Sequence, residues 1–330
     1  MNIYFNPAEW RRLYRCDHLN ETQWQEYSIQ HPNAGLLCLS LGIVYLFTYV
    51  PCLTIMRQRQ FYENSCFKLM FLHGCIDVMA IIINSFISGY LFIIGTTYCD
   101  FPNLQYFAGL LAVAGWCGQC LNCVFLAINR CVDFLAPNLS TLLFEGPRTF
   151  LVYVVVLSYM MVLIIFGRPI FFYSGAFMWL YDPYILVPTE VIPVDRSLYR
   201  NYIHDWNNYI TIPAMFILYT ILIASISFKT RGTAGQLKVQ LQLLRQAGLI
   251  CLLNFIPGTI FIAAQFVPTP PFMIFVCLIT WQLGNGGGGL ILLTLNKTIR
   301  DKVLEMLFGS RFRSSCATGS KVGPTVSAIH

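Results

Sequence analysis

Residues 69–95 read LMFLHGCIDVMAIIINSFISGYLFIIG, a run in which Asp77 is the only charged side chain. Wound as a helix at about 1.5 Å per residue, such a run is longer than the roughly 30 Å hydrocarbon layer of a bilayer. Its polarity does not alternate with period two, so a spanning barrel strand is excluded. In lipid the backbone must satisfy its own polar groups, and for an isolated segment only a helix does so. Six further stretches behave alike: Gly35–Met56, Leu104–Ile128, Thr149–Gly167, Tyr209–Phe228, Gln246–Val267 and Phe272–Leu295. The remaining composition agrees, with 56% hydrophobic and 11% charged residues over 330 positions. Soluble domains carry roughly 25% charged residues. A soluble enzyme, a nucleic-acid binder and a disordered chain are all disfavoured. The expected fold is an all-α membrane protein, a bundle of seven transmembrane helices whose main partner is the lipid bilayer.

Lys and Arg set the orientation, because they accumulate on the cytoplasmic side. With the N-terminus outside, the outer segments hold Arg11, Arg12, Arg15, Arg168, Arg196 and Arg200, and the remaining fifteen of the 21 basic residues fall inside. The net charge of +6 then reflects basic inner loops against anionic lipid heads and requires no nucleic acid. Three regions follow: an extracellular segment 1–32, the helix domain 33–308 ending in a short membrane-surface helix, and a cytoplasmic tail 309–330. The tail is rich in Ser, Gly and Thr and is expected to be disordered. No cleavable signal peptide is visible before the first apolar stretch. The sequon Asn20-Glu21-Thr22 lies outside and marks Asn20 as a glycosylation candidate, whereas Asn138-Leu139-Ser140 and Asn296-Lys297-Thr298 lie inside.

Of the 13 cysteines, Cys16 and Cys99 occupy the outer, oxidising side, which suggests a bridge from the N-terminal segment to the top of the third helix. Cys117, Cys120 and Cys123 copy part of an iron–sulfur spacing, but no fourth ligand or His is nearby. Small polarisable packing residues are the better reading, and no metal or cofactor is expected.

Asp77 is the only carboxylate within the seven stretches. A charge at mid-membrane costs at least about 2.5–3.5 kcal/mol, so its expected role is as a conformational or ion-linked switch. The alternative is a hydrogen-bonded carboxyl that holds helices together. His73 stands one turn earlier on the same face. Helix breakers fall inside the spans at Pro51, Pro213, Pro257 and the run Gly286–Gly289. Pro removes a backbone donor and kinks its helix. Pro213, Pro257, Gly286 and Gly287 are hinge candidates, and close helix packing is the competing reading for Pro257 and the glycines.

The pattern of an Asp in the second helix and an Arg just past the third resembles that of G-protein-coupled receptors. The nearer resemblance is to the nematode chemoreceptors of serpentine receptor class T. It is carried by Gly42-Ile43-Val44-Tyr45-Leu46 with Pro51-Cys52, by Met70-Phe71-Leu72 through Asp77, and by Asn84-Ser85 and Gly89-Tyr90. It continues in Ala127-Ile128-Asn129-Arg130-Cys131-Val132-Asp133, Leu143-Phe144-Glu145-Gly146-Pro147-Arg148-Thr149 and Tyr181-Asp182-Pro183-Tyr184. His204, Asn207-Asn208, Pro213 and Leu295-Asn296-Lys297-Thr298-Ile299-Arg300 complete it.

The resemblance implies a rhodopsin-like architecture and a sensory receptor in the plasma membrane, in a sensory cilium in particular. Such a receptor binds an external small molecule or peptide and signals through a heterotrimeric G protein. Arg130 looks like the G-protein-facing Arg of such receptors, with Asp133 one turn away at pairing distance. Asp77 looks like the sodium-linked carboxylate, and Pro213 and Pro257 look like the hinge prolines. The chain departs from the receptor pattern in having Asn129, not an acid, before Arg130. It also lacks Asn-Pro-x-x-Tyr in the seventh helix, where Asn285 and the glycine run stand.

The outer segment 169–208 holds Trp179, Tyr181, Tyr184, Tyr199, Tyr202, His204 and Trp206. An interfacial aromatic belt is expected for most of them, with a lid over the ligand as the other reading. Residues 230–244 are expected to extend the sixth helix as a basic stalk. A transporter would show internal repeats or more intramembrane charges, and a seven-span ligand-gated channel would place the N-terminus inside. No paired catalytic groups occur in the spans, so no enzyme is expected.

Overall fold

The computed structural model describes residues 1–229, 234–263 and 270–309. Among the described residues, six helices are long and apolar enough to cross a membrane: Pro32–Met56, Ser65–Ile94, Pro102–Leu135, Gly146–Phe166, Tyr202–Ala224 and Phe272–Leu295. The sixth bundle member in chain order is Ala234–Ala263, whose apolar part is Leu244–Ile260. Together they form the spanning helices one to seven. Phe47, Leu151 and Ile217 are more than half exposed and point away from the bundle, as residues solvated by lipid do.

Local chemistry sets the helix ends. Pro32, Pro102 and Pro271 stand at first-turn positions, where their missing N–H costs no hydrogen bond. The Asn64 side chain accepts the Cys66 N–H and starts helix two. Gly95 ends it with φ +68, a conformation that L side chains rarely adopt. Within helix two, Ile82–Ile87 forms a π-helical turn, which no sequence pattern announced. Helix three is the central post, buried on most sides. The last described helix, Lys297–Phe308, packs Ile299 and Val303 inward while Lys302 Nζ reaches Gln58 Oε1 at 3.1 Å. Of the tail, only Gly309 falls within the described residues, and so does none of the segment 230–233 that opens the expected stalk.

The outer end carries a folded cap. Residues 1–32 contain helices Pro7–Tyr14 and Glu21–Glu26, the latter opened by a reciprocal Asn20–Gln23 capping box. Cys16 and Cys99 are joined by a disulfide. The segment after helix four forms an antiparallel hairpin, β1 (Phe171–Tyr173) and β2 (Met178–Leu180), with Phe172 opposite Trp179.

This cap corrects the expected aromatic belt. Trp179, Tyr184 and Tyr199 are buried, while Tyr202 and Trp206 are more than half exposed. Trp179 Nε1 donates to Ser88 Oγ of helix two at 2.8 Å. Tyr184 and Tyr199 give their hydroxyls to backbone carbonyls at the end of Pro7–Tyr14. The phenol groups find acceptors inside the cap, which is why they leave the membrane surface.

Candidate functional site

The spans bring one polar network together at mid-membrane. Asp77 is fully buried and accepts the Tyr49 hydroxyl of helix one. Its other oxygen accepts Gln119 Nε2 of helix three at 2.6 Å. The same Gln119 amide donates to Asn285 Oδ1 of helix seven at 2.7 Å. Asn285 in turn donates to Trp281 O at 2.8 Å. His73 Nε2 lies 3.6 Å from Asp77 Oδ2 and 3.1 Å from Asn254 Nδ2 of helix six. One carboxyl group thus joins helices one, two and three directly, helix seven through Gln119 and helix six through His73. Buried polar groups need such partners, since an unpaired one costs about 1–3 kcal/mol.

The glycine run makes room for this arrangement. A Cβ on Gly287 would stand 2.5 Å from Leu253 Cδ1, and one on Gly289 would stand 2.9 Å from Tyr49 Cα. Cβ atoms on Gly286 and Gly288 would collide with the Tyr45 ring and the Tyr49 hydroxyl. Helix seven runs unbroken through the run from Pro271 to Leu295. Here the missing side chains let helix one approach until Tyr49 reaches Asp77.

At the inner end of helix three, Arg130 is buried. Its Nη2 and Nε donate to Asn129 Oδ1 at 2.6 and 3.2 Å. It pairs with Asp133, which also accepts the Ser140 hydroxyl from the inner helix Pro137–Phe144. Asn129 Nδ2 donates to Ser65 Oγ of helix two at 3.0 Å. Asn129 therefore stands where it holds Arg130 through a neutral acceptor and Asp133 holds it through charge. Pro213 and Pro257 lie inside helices five and six, which continue past them.

Several of these residues escaped the reading of the sequence. Tyr49, Gln119 and Asn254 passed unnoticed, although an amide or phenol in an apolar span is itself a signal, since it must find a partner there. Gln119 sits in the run first read for its cysteines. The cysteines themselves diverge: Cys123 Sγ lies 3.9 Å from His73 Nδ1, while Cys120 and Cys117 are buried elsewhere on the helix.

In the cap, Arg196 Nη1 holds both Asp182 oxygens, at 3.0 and 2.9 Å. Burial pushes the Asp182 carboxyl above its ordinary range, while the Tyr184 N–H and Arg196 pull it back.

The chain matches the family model for "Serpentine type 7TM GPCR chemoreceptor Srt" over residues 1–316. It is 24% identical over 298 residues to "Serpentine receptor class T-55" of Caenorhabditis elegans, covering 89% of this chain and 80% of that protein. Its fold is similar to that of squid rhodopsin, with a TM-score of 0.63 and 14% identity over 94% of each chain.

Proposed function

From the premise that this chain belongs to the Srt family of serpentine seven-transmembrane chemoreceptors, we propose a specific division of labour along the bundle. The protein is a chemosensory receptor of the G-protein-coupled type and a multi-pass membrane protein. In the proposed arrangement the N-terminus and cap face the exterior of the plasma membrane, at a sensory cilium. A small external molecule engages the outer end, and a heterotrimeric G protein engages the inner end around Arg130 and Asp133. The chain acts as a receptor and not as an enzyme. The segment 1–32 serves as the extracellular part, and 309–330 as the cytoplasmic tail.

Two features support the orientation. Among the described residues, eleven of the seventeen Lys and Arg fall on segments at the end opposite the cap. The Cys16–Cys99 disulfide belongs to the cap, and disulfides persist on the oxidising side.

The observation that carries the reading is the column of polar groups between the ends. Asp77 and its partners occupy the middle of the bundle, and the Arg130–Asp133 pair closes the inner end. A signal must alter contacts that two helix arrangements share, and the network around Asp77 ties helices one, two and three directly, with seven and six reached through Gln119 and His73. Asp77 and Asn285 are therefore assigned the switch, and Pro213, Pro257, Gly286 and Gly287 the joints at which helices five, six and seven bend.

The decisive experiment measures nucleotide exchange by purified G protein mixed with the receptor in lipid nanodiscs. Arg130→Ala is expected to abolish receptor-stimulated exchange while leaving expression and thermal stability near those of the parent. Unchanged exchange would remove Arg130 from the coupling surface.

A further inference from the structure

Between helices five and six the bundle surface carries a groove of about 500 Å³, within the range of roughly 300–1,000 Å³ that ligand pockets occupy. Phe216, Tyr219 and Ile223 line it from helix five, and Gly248, Leu252 and Phe255 from helix six. Phe216 and Ile223 are more than half exposed and Leu252 nearly so, which opens the groove to hydrocarbon and not to the bundle interior. Gly248 deepens it, since a Cβ there would meet only Tyr219 within 4 Å, at 3.5 Å.

The charged member of its wall is Arg245. The Gln242 side chain, three residues earlier, donates through Nε2 to Leu295 O at the inner end of helix seven, at 3.3 Å, which sets Arg245 at the inner edge of the membrane. From Arg245 to Phe255 helix six rises about 15 Å, half of the roughly 30 Å hydrocarbon layer. The groove therefore spans one leaflet, with a cation at the level of the lipid headgroups and apolar walls below it. Arg245 is exposed, and none of the ion pairs among the described residues involves it. Asp133 of helix three is taken by Arg130. Between Asp205 and Asp301 the sequence has no carboxylate at all, while Lys229, Arg231, Lys238, Arg245, Lys297 and Arg300 fall in that stretch.

These facts select the occupant. A second copy of this chain seated in the groove would bring like charges together at the inner edge. A water-soluble ligand would have to reach it through hydrocarbon. A phospholipid meets both conditions, because its acyl chain matches the apolar walls and its phosphate matches the planar donors of a guanidinium. With basic residues and no acid on this part of the chain, a headgroup of net negative charge is favoured over a zwitterionic one. We propose that the groove holds one anionic phospholipid, with an acyl chain between helices five and six and its phosphate on Arg245. This site does not depend on how the inner end couples.

The test uses the purified full-length receptor in lipid nanodiscs and a phosphatidylserine whose acyl chain carries a photoreactive diazirine. Irradiation is expected to attach the probe between Met215 and Phe255, and unlabelled phosphatidylserine, but not phosphatidylcholine, is expected to compete it away. Arg245→Gln should weaken this labelling about fivefold, the share of one basic group at an anionic headgroup, and Arg245→Lys should restore most of it. Gly248→Leu fills the groove without altering charge and should move the attachment out of helices five and six. It decides the matter if Arg245→Gln fails to fold. Attachment spread evenly over the lipid-facing helices, equal competition by phosphatidylcholine, or undiminished labelling in either Arg245→Gln or Gly248→Leu would overturn the proposal. So would equal competition by water-soluble glycerophosphoserine, because a site for the free headgroup needs no acyl groove.

Discussion

The Tyr49 hydroxyl meets the Asp77 carboxyl directly opposite Gly288, in the space a side chain on helix seven would otherwise fill. The glycine run and the intramembrane carboxyl, far apart in sequence, are therefore parts of one arrangement. A methyl group at Gly288 must push the phenol away from the carboxyl or push helix seven away from helix one. Overpacking of this kind typically costs about 1–3 kcal/mol. Gly288→Ala is expected to lower thermal stability by that amount. A Gly248→Ala control, where the added Cβ would meet only Tyr219 at 3.5 Å, should be near neutral.

Tyr49 and Asp77 should also be coupled energetically. Tyr49→Phe keeps the ring and leaves one buried carboxyl oxygen without its partner, for an expected loss of about 1–3 kcal/mol. In a double-mutant cycle with Asp77→Asn, the two losses should fall short of additivity by at least about 0.5 kcal/mol. Additive unfolding energies would mean that the contact carries no weight.

The Arg130–Asp133 pair predicts opposite effects from its two members. Removing Asp133 frees Arg130 from its charged partner, so Asp133→Asn is expected to raise ligand-independent nucleotide exchange. Arg130→Ala should eliminate it. Ser140→Ala, which removes the second bond to Asp133, should resemble a weak Asp133→Asn. Basal exchange unchanged in Asp133→Asn would show that the pair does not hold the resting state.

The disulfide closes a separation of 83 residues, for which the chain-entropy account gives about 4.5 kcal/mol. Cys16→Ser is expected to lower Tm sharply and to release helix Pro7–Tyr14 from the tyrosine hydroxyls that bind its end. Hydrogen exchange in residues 7–14 should then rise well above that of the spans. Non-reducing peptide mapping of the parent should recover Cys16 and Cys99 in one fragment.

Asn20 has two tasks that can be separated. Its side-chain oxygen caps helix Glu21–Glu26 by accepting the Gln23 N–H at 2.9 Å. A glycan would attach through the side-chain nitrogen and leave that oxygen free. Asn20→Asp keeps the cap and removes the acceptor site for sugar, whereas Asn20→Ala removes both. A glycosidase-sensitive mobility shift is expected in the parent and in neither variant, and only Asn20→Ala should lose about 1 kcal/mol. No shift in the parent, expressed in a cell that glycosylates, would argue against an exterior N-terminus.

The positions of the spans were legible in the sequence because lipid leaves the backbone one solution. A run such as 69–95 can only be a helix, whatever surrounds it. The importance of Asp77 was legible for the same reason, since any carboxyl in such a run is expensive. Its partners were not. Whether Tyr49, Gln119 or Asn285 faces Asp77 depends on how each helix is rotated and how closely two helices approach. The glycines of helix seven decide the approach: Gly286, Gly288 and Gly289 face helix one and Gly287 faces helix six. The cap was equally illegible: Tyr98, Tyr184 and Tyr199 converge on the end of one short helix only after the disulfide and the hairpin have folded over it. The sequence by itself determined what each segment must do in its solvent. Only the tertiary structure decided which buried polar groups meet, because that outcome depends on long-range packing, which has no local signature.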